Sequence, residues 1–170
     1  MQHKLLLVAA VGACAAAVAL GAAGRGASAP APKLFTPVRE LDQVRLGMAK
    51  SDVEAAWGRR HGICRGCERR TWYFNTEPFE PQGTAVAFEG GRVVHAYTVW
   101  QPSGWRTPEG LSVGDQEGRV HDLYGPLREE TCDGYLALVL SDGRVDSVFY
   151  VYRDSVWGFG LKRPRVSACV

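Results

Sequence analysis

Two stretches decide how this chain is read. The first is Leu46-Gly47-Met48-Ala49-Lys50-Ser51-Asp52-Val53-Glu54-Ala55-Ala56-Trp57-Gly58. The second is Val113-Gly114-Asp115-Gln116-Glu117-Gly118-Arg119-Val120-His121-Asp122-Leu123-Tyr124-Gly125. At an offset of 67, Gly47 meets Gly114, Val53 meets Val120, Ala56 meets Leu123, Trp57 meets Tyr124 and Gly58 meets Gly125. Val53, Ala56 and Trp57 fall at i, i+3 and i+4, one face of a 3.6-residue period, so each stretch predicts a short amphipathic helix. Ser51 with Glu54 matches a capping box. Gly58 and Gly125 stand where a helix ends on a left-handed residue.

Strand patterns follow each helix. After the first they cover roughly residues 70–75, 84–89 and 92–100, the last two joined by Gly90-Gly91, a tight-hairpin signal. After the second they cover 135–141 and 144–152, joined by Asp142-Gly143. A helix followed by antiparallel strands, twice over, predicts an α+β fold of two repeats, each a short helical segment and an antiparallel β-meander. The expected division is a leader over 1–29, repeat 1 over 33–101, a Pro/Gly/Ser-rich linker over 102–110, repeat 2 over 111–160 and a tail over 161–170. Repeat 1 carries about 15 extra residues, around Cys64/Cys67 and 76–82.

The Leu/Val-Gly-Met opening, short helix ending in aromatic-Gly and following meander resemble the SmpA/OmlA (BamE-like) domain. The tandem arrangement is similar to that of secreted β-lactamase inhibitory proteins. The resemblance covers roughly residues 38–152. It implies an exported, non-enzymatic protein that binds other proteins through its sheet and loops; no contact residue carries over.

Residues 1–29 read as an export signal: one charge at Lys4, an uncharged Ala/Gly-rich run over 5–24, and the small-x-small pattern Ala27-Ser28-Ala29. Cleavage nearer 21–23 fits equally. A retained anchor, or a lipidated Cys14 in Val11-Gly12-Ala13-Cys14, are the competing readings, and membrane attachment is expected only under one of them. Apolar content of 46% and charged content of 22% in 170 residues exclude wholesale disorder. Of 20 Lys+Arg, Lys4 and Arg25 lie in the leader, so residues 30–170 carry 18 basic against 18 acidic groups. Such a balance argues against nucleic-acid binding, which needs a basic surface. Without Cys14 four cysteines remain, and an even number in an exported chain predicts two disulfides. Of three connectivities, Cys64–Cys67 with Cys132–Cys169 is expected, the second closing about 38 residues.

Several residues invite chemistry. Cys64-Arg65-Gly66-Cys67, among Arg59, Arg60, Arg65, Arg69 and Arg70, reads either as a structural disulfide or as a redox dithiol whose thiolate the arginines favour. The thiol–disulfide protein is the alternative function. His61-x-x-Cys64-x-x-Cys67 spaces three zinc-competent ligands without a paired fourth, so no metal is expected, and no cofactor. His121-Asp122 reads as a solvated helix face and His95 as a packed strand histidine. No nucleophile elbow or phosphate loop stands out, and no enzyme is expected. Binding is read from residues 93–100 and 145–152, apolar on both faces, whose second-face aromatics are interface anchors or packing between repeats. Candidate contacts for a protein partner are Trp105, Trp100, Tyr150, Tyr152, Arg65 and Arg69. Trp105 is either an exposed anchor or a seal at the repeat junction. The arginines over 59–70 supply a local positive charge for an acidic partner. The expected location is secreted or the extracytoplasmic envelope.

Overall fold

Tight turns generate most of the architecture. Gly90 and Gly91 hold φ of 55° and 75°, the pair of positive values that a two-residue hairpin turn with native strand twist requires. They join β5 (Gly83–Glu89) to β6 (Arg92–Val99). Asp142 accepts hydrogen bonds from the Arg144 and Val145 N–H groups (2.8 and 2.7 Å), an Asx-type turn between β9 (Leu136–Ser141) and β10 (Asp146–Tyr152). Arg153 and Asp154 turn β10 into β11 (Ser155–Lys162).

The computed structural model describes residues 33–74, 83–100 and 102–170. The leader, Cys14 and the 76–82 insertion lie outside them. The remaining elements are β1 (Lys33–Thr36), β2 (Glu40–Leu41), α1 (Lys50–Trp57), β3 (Gly62–Ile63), β4 (Arg70–Tyr73), β7 (Trp105–Arg106), α2 (Glu117–Tyr124) and β8 (Arg128–Thr131). A three-stranded sheet runs β2-β1-β7 and an eight-stranded antiparallel sheet runs β3-β4-β5-β6-β11-β10-β9-β8. No helix among the described residues is long and apolar enough to cross a membrane.

The expected α+β fold of two helix-plus-meander repeats is therefore corrected. The chain is mostly β, with two eight-residue helices among the described residues. The reason is β11, which runs across the position 160/161 where the tail was expected to begin. It pairs with β10 along its length and with β6 from Phe159↔Thr98 to Lys162↔His95. That seam fuses the strands on either side into one sheet. Gly158 permits it, because a Cβ there would stand 1.9 Å from the Thr98 carbonyl oxygen. Only glycine tolerates that approach.

The helix starts also differ. Ala49 is the N-cap of α1, and its N–H donates to Asp52 Oδ2 at 3.0 Å, so Ser51 and Glu54 form no capping box. Gly58 and Gly125 do close the helices, at φ of 90° and 75°, donating to the Glu54 and His121 carbonyls.

One face of the large sheet packs against the helices and small sheet. Phe35 stacks on Phe159 at 5.0 Å and meets Phe149 edge-on at 5.7 Å, while Tyr124 stacks on Phe149 at 4.7 Å. Val53 and Val120 bury completely in the same core. Trp57 is only half-buried, its Nε1 donating to the Asp42 carbonyl at 2.7 Å.

Candidate binding groove

The second face is finished differently. Alternation places His95, Tyr97 and Val99 of β6, and Asp146, Val148, Tyr150 and Tyr152 of β10, away from the helices. Residues 163–170 cross part of this face. Val166 and Ala168 are buried, the Ala168 N–H donates to Glu130 Oε2 at 3.1 Å, and Cys169 is disulfide-bonded to Cys132. Beneath the tail Lys162 Nζ lies 2.7 Å from Asp146 Oδ2, both side chains almost wholly buried, and Ser141 Oγ donates to Asp146 Oδ1 at 2.6 Å. His95 Nε2 and the Tyr150 hydroxyl are 3.0 Å apart. Burial, reinforced by the charges of Lys162 and Arg69, pushes the His95 pKa down to about 3. It is a neutral, packed histidine.

Beyond the tail the face opens into a groove of about 770 Å³. Six rings line it: Tyr73, Tyr97, Trp100, Tyr135, Tyr152 and Trp157. Trp157 is the hub, with Trp100 and Tyr135 each 5.2 Å and Tyr152 5.8 Å from it between centroids. Arg153 lies over the Tyr152 ring at 5.1 Å. Trp100 is 48% exposed and holds φ of 72°. A bulky side chain in the left-handed region is strained by about 1–3 kcal/mol, and such strain concentrates at functional positions.

Both disulfides brace this groove. Cys64–Cys67 closes the loop between β3 and β4, and the Tyr73 hydroxyl donates to Cys67 Sγ at 3.3 Å. At the opposite wall the Val170 N–H donates to the Tyr135 hydroxyl at 2.6 Å, fixing the tail next to Cys169. Desolvation holds the Tyr97 and Tyr135 phenols above their ordinary pKa. They stay un-ionised and so serve as neutral hydrogen-bonding groups between apolar ring faces. Asp133 and Arg153 add one charge of each sign to the lining.

The structure sorts the sequence-expected contacts into three places. Trp100 and Tyr152, 48% and 37% exposed, come together in the groove. Tyr150 and Trp105 do not. Tyr150 is fully buried, and its hydroxyl meets His95. Trp105 is 2% exposed because β7 pairs in parallel with β1 (Lys33↔Trp105), which draws the ring into the helix-side core. The reading of Trp105 as an exposed anchor is corrected: it is a seal. Arg65 is exposed in the disulfide loop, and Arg69 pairs with Glu68 at 3.0 Å, outside the groove. His121 lies 3.8 Å from Glu117 on the surface of α2.

Sequence reasoning missed Trp157, Tyr135, Tyr97 and Tyr73 as groove residues. Trp157 had a signal, a large aromatic in the glycine-broken run Trp157-Gly158-Phe159-Gly160, but only the pairing of β11 with β6 puts it beside Trp100. Cys64 and Cys67 are bonded to each other, so His61-x-x-Cys64-x-x-Cys67 offers no free thiolates to a metal. His61 instead stacks on Trp72 at 3.9 Å. The CxxC pair sits in a strand–strand loop, without the helix N-terminus that lowers a thiol pKa at a redox site.

No family model matches the chain, and no curated protein matches it. Among solved structures, an extracellular protein containing an SCP domain from Bacillus anthracis superposes with a TM-score of 0.52 at 12% identity, covering 75% of this chain. This chain spans about half of that protein's length (48%). A DUF4309 family protein from Bacillus subtilis gives a TM-score of 0.43 at 16% identity over 68% of this chain and 78% of its own. The first likeness concerns the fold alone.

Proposed function

We propose that this chain is an exported, non-enzymatic protein-binding module, secreted or held in the extracytoplasmic envelope, and that the aromatic groove is its contact surface. The two helix-plus-meander repeats expected from the sequence are not what forms, so the groove alone supports the reading. One observation carries it: Trp100, half-exposed at positive φ, beside Trp157 in a cluster of rings braced by two disulfides. Interface cores are enriched in aromatic side chains that remove much apolar area from water for little loss of rotamer freedom. Rigid bracing lowers the ordering cost of binding further. The polar lining, neutral phenols with one carboxylate and one guanidinium, suits hydrogen bonding to a partner rather than proton transfer. Two disulfides accord with an oxidising compartment, as does the fold shared with an extracellular protein.

The test is cross-linking capture from the native envelope and medium with the mature chain and with Trp100→Ala. A protein retained by the native chain and lost from the variant supports the assignment. Equal retention by both, or no retained protein, defeats it.

A further inference from the structure

A second cleft, of about 590 Å³, opens at the other end of β10. Gly143 and Arg144, which line it, precede this strand, whereas Tyr152 and Arg153 of the aromatic groove finish and follow it. Arg69, Arg144, Arg163 and Arg165 enter its walls from three separate segments, and Glu89 is the one acid in the lining. Four arginines against one glutamate leave a surplus of three positive charges. Among the described residues Arg144, Arg163 and Arg165 make no ion pair. Arg69 pairs only with the exposed Glu68, and its buried Nε has no hydrogen-bond partner there.

The backbone under these side chains is anchored. The Arg163 N–H donates to the Val94 carbonyl at 3.0 Å, the Val166 N–H to the Arg163 carbonyl at 2.9 Å, and the Arg144 N–H to Asp142 Oδ1 at 2.8 Å. Four guanidinium groups are thus gathered around one space by fixed strand ends, although each repels the others. An anionic ligand relieves that repulsion, and the fork of each guanidinium matches a carboxylate in two parallel hydrogen bonds. The space exceeds that of a single small anion and accommodates several acidic side chains.

We propose that this cleft binds a carboxylate-rich segment of a protein partner. The partner's class rests on the function proposed above; the cleft's charge does not. The acidic segment and the aromatic contact engage opposite ends of β10, so one partner reaching both would be gripped at two points. Attraction of this kind speeds association and fades with salt.

The experiment titrates a fluorescein-labelled oligoglutamate of about ten residues against the mature protein at low and high salt. Variants are Arg144→Gln/Arg165→Gln in the cleft, Arg45→Gln elsewhere on the surface, and Trp100→Ala in the groove. The expected result is binding at low salt that weakens with added salt and drops at least tenfold in the cleft variant. Arg45→Gln and Trp100→Ala leave it within twofold, and melting of the cleft variant stays native-like. Absence of binding overturns the proposal, as does an equal loss in Arg45→Gln, which would mark general surface charge. Binding of inorganic polyphosphate but not of oligoglutamate overturns the carboxylate assignment. If Trp100→Ala abolishes partner capture while the cleft variant keeps both capture and oligoglutamate binding, the groove stands and the cleft falls.

Discussion

On the helix side of the large sheet, Phe35, Phe149, Phe159, Val53, Val120 and Leu161 are fully buried in one apolar core. On the other side the cover is an eight-residue tail, and beneath it polar groups are paired instead: Asp146 with Lys162, His95 with Tyr150. Past the tail's reach, the rings around Trp157 meet solvent. On the function proposed above, one sheet thereby separates two tasks. A face that gathers helices, a small sheet and large side chains supplies the hydrophobic stabilisation. The less covered face is left to present rings and charges at its two ends.

The two faces respond to different substitutions. Trp105→Ala removes a fully buried indole from the helix-side core and is expected to cost about 3–5 kcal/mol in denaturant unfolding. A loss below about 1 kcal/mol would mean that the 102–110 segment is not part of that core. On the tail side, Cys132→Ser/Cys169→Ser frees the strap, and the chain-entropy model gives about 3–4 kcal/mol for a loop of this length. An unchanged midpoint would show that the tail does not stabilise the face it crosses.

Asp146→Ala leaves the buried Lys162 ammonium, among the described residues, with Glu130 alone at 3.9 Å, and is expected to cost about 3 kcal/mol. Asp146→Leu/Lys162→Met should recover most of that loss, because an apolar pair carries no desolvation penalty. Failure of the double variant to recover would make the ion pair itself a source of stability.

The acid response is a finer probe. Above pH 6.5 neither the folded nor the unfolded chain holds a proton on His95. Below it the unfolded chain takes one that the buried ring refuses until about pH 3. Stability from this group is therefore complete at neutral pH and falls with acid across that window, by at most about 1.4 kcal/mol per pH unit. Glu130 adds to the fall lower down. Burial pushes its carboxyl up, but hydrogen bonds from Arg128 and the Ala168 N–H, with the nearby Lys162 charge, hold it below the usual range. His95→Gln should flatten the slope between pH 6.5 and about 3; an unaltered slope would assign the effect elsewhere.

What was legible beforehand follows the same division. Gly90-Gly91 and Asp142-Gly143 announced their hairpins because turn chemistry is local. Cys132 and Cys169 were open to counting, and the structure joins them. The seam was not legible. β11 carries Gly158 and Gly160, which weaken a strand pattern, and the need for Gly158 exists only once the Thr98 carbonyl lies against it. Trp105 misled for a related reason: a Pro/Gly/Ser-rich surrounding reads as exposed until β1 supplies its pairing partner. In the groove, Tyr152 could be found by alternation along β10, whereas alternation along β6 puts Trp100 in phase with Thr98, opposite Tyr97 and Val99; it lies past the end of β6 at a φ of 72°, which no strand pattern announces. Tyr135 and Trp157 reach it from segments that only the sheet order brings together.

On the function proposed above, stability and binding reside in different tryptophans. Thermal melting and partner capture, measured side by side on Trp100→Ala and the native chain, test it most directly. The expected result is a melting temperature unchanged within about 2 °C, as for a ΔΔG below about 0.5 kcal/mol, together with loss of the captured protein. A fall in melting temperature as large as that of Trp105→Ala, with capture intact, would contradict it.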